Sequence, residues 1–142
     1  LIRVTHDGTT WSTAKMWDSL DIKPNFNDYV AVDGYLYGFD GNVFACVDLA
    51  TGKRKWKRGR YGFGQVLLVQ PQQLLVIQAE SGEVVLVEAS SKELVERGKF
   101  PALGGKTWNH PVIAHGKLLV RNGEEMACYD VAPVETTTAA VP

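Results

Sequence analysis

The chain contains 142 residues, of which 45% are hydrophobic and 22% are charged, and its 15 basic and 16 acidic residues give a net charge of −1. This composition excludes a disordered chain, a disulfide-rich mini-protein and the strongly basic signature of a dedicated nucleic-acid binder. No apolar run approaches the ~18 residues that a transmembrane helix needs, so we expect neither a nucleic-acid partner nor a membrane span.

Residues 1–28 begin with a strand-like segment at residues 1–5 but hold too few strands for a complete structural unit. We expect these strands to form part of one unit. Neither the charged nor the apolar region of a secretory signal peptide precedes them. Because Leu1 stands where an initiator methionine would be, we expect the C-terminal segment of a longer parent chain.

Three further units follow in chain order. Residues 29–62 and 63–107 are each predicted to contain four short strands, and residues 108–132 about three. Turn dipeptides such as Asp33-Gly34, Asp40-Gly41 and Asn122-Gly123 separate the strands and predict tight antiparallel hairpins. Residues 94–100 have helical propensity but lie where a fourth strand is due. Residues 133–142 are small and polar and are expected to form a disordered tail.

An internal sequence repeat supports this division. Gly41, Gly82 and Gly123 are equally spaced, which sets the repeat period at 41, and an alignment at that offset extends in both directions without gaps. Residues 44–50 match residues 126–132 closely, whereas the middle copy departs from the pattern. A period near 40 with strand-like content indicates one supersecondary unit per repeat.

Several of the predicted strands are apolar at every position rather than at alternate ones. This pattern indicates that both faces of the sheet are covered. Radial stacking of four-stranded sheets provides such cover. We therefore predict an all-β fold of β-propeller blades, four-stranded antiparallel repeats in an incomplete ring of about three blades. A β-sandwich of the same strands is the alternative, but it gives no reason for a strict period of 41.

The segment at residues 46–56 carries a specific motif, with Asp48 followed by Thr51-Gly52 and then by Trp56. It resembles the tryptophan-docking motif of pyrroloquinoline-quinone-like (PQQ-like, BamB-like) β-propeller repeats, although Cys46 replaces the small first residue of that pattern. Asp48 can accept backbone N–H groups of the turn that it begins, and Gly52 can supply a positive φ. Trp56 can fill the space between blades while its N–H donates to a carbonyl. The alternative role of Trp56 is a stacking surface for a quinone or a sugar.

The resemblance alone implies PQQ as a cofactor. Quinone-dependent dehydrogenases, as a family, add a catalytic Asp, oxygen ligands to calcium and often a vicinal disulfide. This sequence has no adjacent cysteines and no cluster of Asp, Glu and Asn that would supply six or more oxygen ligands. We interpret Asp40-Gly41-Asn42 as a hairpin turn. No catalytic, cofactor-binding or metal-binding residue is assigned.

The two cysteines are not expected to form a disulfide. Cys46 and Cys128 occupy the same repeat position two blades apart. That places them roughly 20 Å from each other, whereas a disulfide needs Cα atoms within about 7 Å. Both are predicted to be small, buried strand residues. The histidines are scattered, and their spacing does not resemble a zinc site.

Two local features are candidates for binding. Residues 53–60 include six basic residues, which could bind phosphate or an acidic surface, or could protect an outer edge strand from aggregation. The loops leading into each unit carry aromatic and amide groups where the central funnel of a propeller would open. These loops form a candidate binding rim, or their aromatic side chains simply cap the core. The rim residues are Phe26, Tyr29, Phe63, Trp108, Asn109 and His110.

Two functions from different classes remain. We favour a non-enzymatic binding or scaffold protein of the PQQ-like repeat family, and the alternative is a fragment of a quinone-dependent dehydrogenase. The resemblance implies export to a periplasm or to the cell surface. About three blades cannot close a ring, so the open blade faces are expected to be covered. The expected cover is a protein partner, another copy of the chain or the rest of a longer parent propeller.

Overall fold

The structure, a computed structural model, describes residues 1–131. The tail expected at residues 133–142 lies outside the described residues, as does residue 132. Within residues 1–131 the structure has thirteen strands and one short 3-10 helix, Gln70–Gln72. The thirteen strands are β1 (Ile2–His6), β2 (Trp11–Lys15), β3 (Val30–Val32), β4 (Tyr35–Asp40), β5 (Val43–Asp48), β6 (Arg54–Lys57), β7 (Gln65–Val69), β8 (Leu74–Gln78), β9 (Glu83–Glu88), β10 (Glu96–Pro101), β11 (Val112–Ala114), β12 (Lys117–Arg121) and β13 (Met126–Asp130).

The strands of the described chain form four antiparallel sheets, none of which closes on itself. β1 and β2 form an N-terminal hairpin. β3–β6 form sheet 1, β7–β10 form sheet 2 and β11–β13 form sheet 3, with the strands of each sheet adjacent in chain order. The prediction of an all-β chain is therefore confirmed. Residues 94–100 contribute to the strand β10 and not to a helix.

The three larger sheets stack face to face through two apolar clusters. Sheets 1 and 2 share a cluster that includes Phe39, Phe44 and Leu75. Sheets 2 and 3 share a second cluster that includes Val84 and Leu118. Because sheet 2 contributes to both clusters, its central strands are covered on both faces. This explains why β8 and β9 have nearly continuous apolar sequences.

Trp56 lies on β6 and is only 7% exposed. Its ring packs within the cluster between sheets 1 and 2, with centroids 6.0 Å from Phe44 and 6.2 Å from Tyr37. The indole Nε1 donates a hydrogen bond of 2.9 Å to the carbonyl of Ser90, which follows β9 in sheet 2. The indole therefore links two neighbouring sheets through both packing and a hydrogen bond.

The turn before Trp56 is held by the aspartate at the end of β5. Asp48 Oδ1 accepts hydrogen bonds from the backbone N and the hydroxyl of Thr51, at 2.9 and 2.8 Å. Gly52 has a φ of +70°, and a Cβ there would lie 2.6 Å from a ring carbon of Trp17. Glycine is thus required at this position both by the backbone conformation and by the close approach of an indole.

Trp17, which follows β2, makes the same kind of contact one unit earlier in the chain. Its Nε1 donates to the carbonyl of Leu49 at 2.9 Å, and Leu49 precedes Ser90 by one repeat period. Asp7 likewise accepts backbone N–H groups in the β1–β2 turn, one repeat period before Asp48. The N-terminal hairpin therefore has the same tryptophan and aspartate contacts as the next repeat, although every residue of its two strands is exposed.

The ungapped alignment of the repeats does not hold through the middle sheet. Counted between the last pair of residues that face each other across the hairpin, the loop between the second and third strands has two residues in sheets 1 and 3, and it begins with Gly41 and Gly123, respectively. In sheet 2 this loop has three residues and ends with Gly82, whose φ is +92°. The three glycines therefore lie in the second hairpin of each sheet, but Gly82 occupies a different position within it.

The different loop shifts β9 by one residue relative to the alignment, and such a shift exchanges the two faces of a strand. Phe44 packs into the cluster between sheets 1 and 2, and Val85, its match in the ungapped alignment, packs into the same cluster from the opposite sheet. Val84, which faces sheet 3, is the structural counterpart of Phe44. The matches of the alignment that fall on β9 thus pair residues on opposite faces, whereas Ile77 on β8 and its match Leu118 on β12 each face the preceding sheet.

Both cysteines are free thiols; Cys46 is buried and Cys128 is exposed. The prediction that both are buried is therefore wrong for Cys128. Its neighbours Ala127 and Tyr129 pack toward sheet 2, so Cys128 projects from the opposite face of sheet 3, which no other described sheet covers. Burial raises the pKa of the Cys46 thiol to about 11, although a hydrogen bond with Tyr37 opposes this shift.

Candidate functional site

Three loops, each leading into the first strand of a sheet, bring aromatic side chains together at one end of the stack. Phe26 precedes β3, Phe63 precedes β7 and Trp108 precedes β11. The ring of Phe26 lies 6.1 Å from that of Phe63 and 6.0 Å, edge-on, from that of Trp108. Phe26 is 54% exposed and Trp108 is 48% exposed. We refer to Phe26, Phe63 and Trp108 as the rim cluster.

Glu80, in the β8–β9 loop, ties two of these loops together. Its Oε1 accepts a hydrogen bond of 3.0 Å from the indole of Trp108, and its Oε2 accepts one of 3.2 Å from the backbone N of Phe63. These bonds, first that from Trp108, hold the pKa of Glu80 below its usual value. Since each carboxylate oxygen accepts a hydrogen bond from a rim loop, Glu80 positions the rim cluster.

The buried side-chain amides of Asn27 and Gln65 hold the same three loops in place. Asn27, which is 5% exposed, donates from Nδ2 to the carbonyl of Gly64 at 2.5 Å. Gln65, which is 3% exposed, accepts from the backbone N of Asp28 and donates to the carbonyl of Trp108, each at 3.2 Å. The amides thus connect all three loops, because each bond joins segments that belong to different sheets.

The other predicted rim residues have different surroundings. His110 Nε2 lies 2.9 Å from a carboxylate oxygen of Asp28, which joins the first and third loops at the edge of the rim cluster. Asn109, in the amide orientation that satisfies both of its polar groups, exchanges hydrogen bonds with Arg121. Tyr29 borders a separate depression with Trp17 and Leu36. The structure therefore places Tyr29 away from the aromatic contacts of the rim cluster.

Two shallow depressions flank Trp108. One, of about 420 Å³, is bordered by Arg60, Glu80 and Lys106. The other, of about 350 Å³, is bordered by Trp108, Lys106 and Asn109. Lys106 lies between them, with its Nζ 5.7 Å from the Trp108 ring centroid. The surface around the rim cluster thus combines exposed aromatic rings with exposed cationic groups, an arrangement that suits a partner with apolar and acidic side chains.

In each of sheets 1, 2 and 3, a polar residue at the end of the second strand or shortly after it secures the loop that leads into the sheet. In sheet 1 it is Asp40, which accepts a hydrogen bond from the backbone N of Lys23. In sheet 2 it is Glu80, and in sheet 3 it is Asn122, whose amide donates to the carbonyl of Gly104. Asp40 also forms ion pairs with Lys57 at 2.7 Å and with Arg54 at 3.3 Å.

The Asp40 ion pairs predict a stability difference that depends on pH. Burial opposes the ionisation of Asp40, but the hydrogen bond and charge of Lys57 and the charge of Arg54 outweigh it and hold the pKa of the carboxyl below its usual value. A lowered folded-state pKa stabilises the protein above the unfolded pKa, about 3.9, and this stabilisation disappears as the pH falls through the folded value. We expect Asp40→Asn to lower the free energy of unfolding by about 1–3 kcal/mol at pH 7.

This difference between Asp40→Asn and the wild type should shrink below about pH 4, which urea unfolding at a series of pH values would measure. Asp33→Asn is the matched control, because Asp33 is exposed and has a positive φ that Asn tolerates. The control should stay within about 0.5 kcal/mol of the wild type. A loss for Asp40→Asn that is as large at pH 3 as at pH 7 would contradict the role of the ionised carboxylate.

The basic segment at residues 53–60 includes β6, which is the outer strand of sheet 1. Arg54 and Lys57, both on this strand, form ion pairs with Asp40, and Arg54 also pairs with Asp21 at 3.3 Å. These contacts hold the edge strand against the rest of its sheet. They favour the interpretation of the basic residues as charges that protect an edge strand.

Sequence reasoning missed the residues that hold the rim cluster in place. Asn27 and Gln65 are polar residues within predicted loops and strands, and nothing in their local pattern indicates burial. Glu80 has a signal, because it lies close to one repeat period after Asp40 and one before Asn122. A search for polar residues at the end of each second strand or shortly after it would have found Asp40, Glu80 and Asn122.

Within the part of the chain that the structure describes, no group of three or more His, Cys, Asp or Glu side chains is arranged to hold a metal ion. No helix among residues 1–131 is long and apolar enough to cross a membrane. Comparison with protein-family models gives no match, and comparison with curated proteins gives no significant match either.

Proposed function

We propose that the chain is a run of β-propeller blades that binds a protein partner through the rim cluster. The propeller is supported by three sheets whose strands are adjacent in chain order and which stack face to face. It is also supported by two indole N–H groups that donate to carbonyls one repeat period apart, at Leu49 and Ser90. In this arrangement the loops before β3, β7 and β11 lie on one rim.

The observation that carries the binding function is the combination of exposure and rigidity in the rim cluster. Phe26 and Trp108 are each about half exposed, yet hydrogen bonds with Glu80, Asn27 and Gln65 fix the loops that carry them. Aromatic side chains held in place contribute a large contact area and lose little conformational entropy on binding. Such residues dominate the energetics of protein interfaces.

A binding or scaffold role also suits the chemistry of the site. Glu80 is the carboxylate nearest to the rim cluster, and both of its oxygens are already engaged by Trp108 and Phe63. This geometry supports a recognition role, because Glu80 holds the aromatic side chains in position. Export to a periplasm or to the cell surface belongs to the same proposal, and its support is the resemblance of residues 46–56 to the docking motif of exported propellers.

Photo-crosslinking tests the proposed interface. A photoreactive phenylalanine analogue at position 26 should give one discrete crosslinked protein product in the cell that makes this chain. The matched control carries the analogue at position 11, because Trp11 is an exposed aromatic residue in the hairpin, 70% exposed and remote from the rim loops. If position 11 gives the same product as position 26, or position 26 gives none, the rim cluster is not the interface.

We include the outward face of sheet 3 in the proposal as a surface that a second copy, the rest of a parent propeller or another protein covers. Met126 and Val112 on this face are 70% and 51% exposed, and β13 is an edge strand within the described chain. Exposed apolar faces and open edges favour association.

Static light scattering of the purified chain at micromolar concentration checks this association. We expect a mass above that of one chain. Replacing Met126 by Lys places a charge on the edge strand and should shift the mass toward that of the monomer. A monodisperse, folded monomer of the unmodified chain would show that the face needs no cover.

A further inference from the structure

A cavity of about 470 Å³ lies between sheets 2 and 3, remote from the rim cluster. Its walls are almost entirely apolar, and they come from both sheets and from the strand ends. The main wall residues are Leu74, Val84, Leu86, Phe100, Ile113 and Leu118. The corresponding space between sheets 1 and 2 is filled, because Trp56 occupies it.

A β-bulge in each sheet identifies the residue that corresponds to Trp56. In sheet 1, Cys46 pairs with Trp56 and Val47 pairs with Arg54, which leaves one extra residue on β6. In sheet 2, Leu86 pairs with Gly98 and Val87 pairs with Glu96, which again leaves one extra residue, on β10. The two bulges lie at equivalent positions in their sheets. The counterpart of Trp56 is therefore Gly98, although the ungapped alignment matches Trp56 with Arg97.

The surroundings of Gly98 leave space that a larger side chain at this position would fill. Gly98 lies opposite Leu86 and two residues before Phe100, so a side chain at position 98 would point to the same face as these two cavity residues. A Cβ built on Gly98 would meet no atom within 4 Å, and its φ is outside the left-handed region. The cavity is thus the space that an indole fills in the neighbouring interface.

We propose that this cavity binds a small planar aromatic molecule of about the size of indole. The walls offer apolar contact from two sheets, and cavities with apolar walls take up small aromatic ligands. The Trp56 interface shows which shape fits between two consecutive sheets of this chain, since the same bulge and the same strand pairing surround both sites. The occupant is therefore a flat, mostly apolar ring system.

The test is a titration of the full chain with indole, followed by NMR of methyl groups labelled in Leu and Val. Saturable shifts are expected at Leu86, Val84 and Leu118, which line the cavity. Gly98→Trp should weaken indole binding at least tenfold, because its own ring fills the space, and should raise the melting temperature. Arg97→Trp is the matched control: Arg97 is exposed and paired with Glu88, so indole affinity should remain within twofold of the wild type.

Several results would overturn the proposal. Shifts confined to residues near the rim cluster would place indole on the exposed aromatic rings instead. The absence of saturable shifts at millimolar indole, or equal weakening by Arg97→Trp and Gly98→Trp, would also contradict it. If Gly98→Trp does not fold, Gly98→Val serves in its place, because a β-branched residue suits a strand and fills part of the cavity; its indole affinity should fall at least threefold, and an unchanged affinity would refute the assignment.

Discussion

Trp56→Ala is expected to lower the free energy of unfolding by about 3–5 kcal/mol, the range for a large aromatic side chain removed from a core. The change leaves a cavity between sheets 1 and 2, because Trp56 contacts Phe44 and Tyr37 there. It also leaves the Ser90 carbonyl without its indole partner. Chemical denaturation followed by circular dichroism measures the loss.

Two further variants show how much of this loss comes from burial of the indole and how much from its hydrogen bond. Trp11→Ala removes an indole that is 70% exposed, so it should cost less than about 1 kcal/mol. Trp56→Phe keeps most of the apolar volume but loses the N–H donor, and an intermediate cost is expected. A loss below about 1 kcal/mol for Trp56→Ala would indicate a surface or ligand-binding role for this residue instead.

Gly82→Ala is expected to lower the free energy of unfolding by at least about 2 kcal/mol. Gly82 has a φ of +92°, and a Cβ at this position would lie 2.1 Å from the carbonyl oxygen of Leu103. The substitution therefore combines a strained backbone with a clash against another backbone segment. The cost arises at the loop that distinguishes sheet 2 from its neighbours.

The glycines of the other two loops are matched controls for this substitution. Gly41 has a φ of +64° but open space around a Cβ, so Gly41→Ala should cost about 1 kcal/mol from backbone strain alone. Gly123 has neither a left-handed φ nor a nearby atom, so Gly123→Ala should stay within about 0.5 kcal/mol of the wild type. Equal costs at all three positions would contradict the different loop geometry of sheet 2.

Much of the fold follows from local sequence signals. Turn dipeptides such as Asp33-Gly34 and Asp40-Gly41 determine where hairpins form, and the apolar runs between them determine the strands. Residues 94–100 show that position in the repeat outweighs helical propensity, since residues 96–100 pair with β9 in the fourth strand of sheet 2. Pairing with β9 in the tertiary structure thus determines that this segment forms a strand.

The orientation of side chains in the middle sheet did not follow from the sequence. Gly82 matches Gly41 in spacing, but one additional loop residue changes which face each residue of β9 occupies. A gap-free alignment does not detect such a change, because Val84 and Val85 are chemically identical and only their neighbours differ. For the same reason, the gap-free alignment does not show that Gly98 corresponds to Trp56.

The candidate site was predictable in its location and not in its details. The loops that carry Phe26, Phe63 and Trp108 were identified from their aromatic content, and the structure brings these three rings together. Tyr29 shares the first loop but borders a different depression, together with Trp17. Long-range hydrogen bonds, such as that from Trp108 to Glu80, depend on how sheets stack and leave no local pattern in the sequence.

The affinity of the crosslinked partner for purified variants tests the binding function most directly. Isothermal titration calorimetry would compare Phe26→Ser, Trp108→Ser and Trp11→Ser, after thermal melts have shown that all three are folded. The proposed interface predicts that the two rim variants lose at least about tenfold in affinity, as expected for aromatic hot spots, while Trp11→Ser binds as the wild type does. Unchanged affinity in both rim variants would contradict a binding function for the rim cluster.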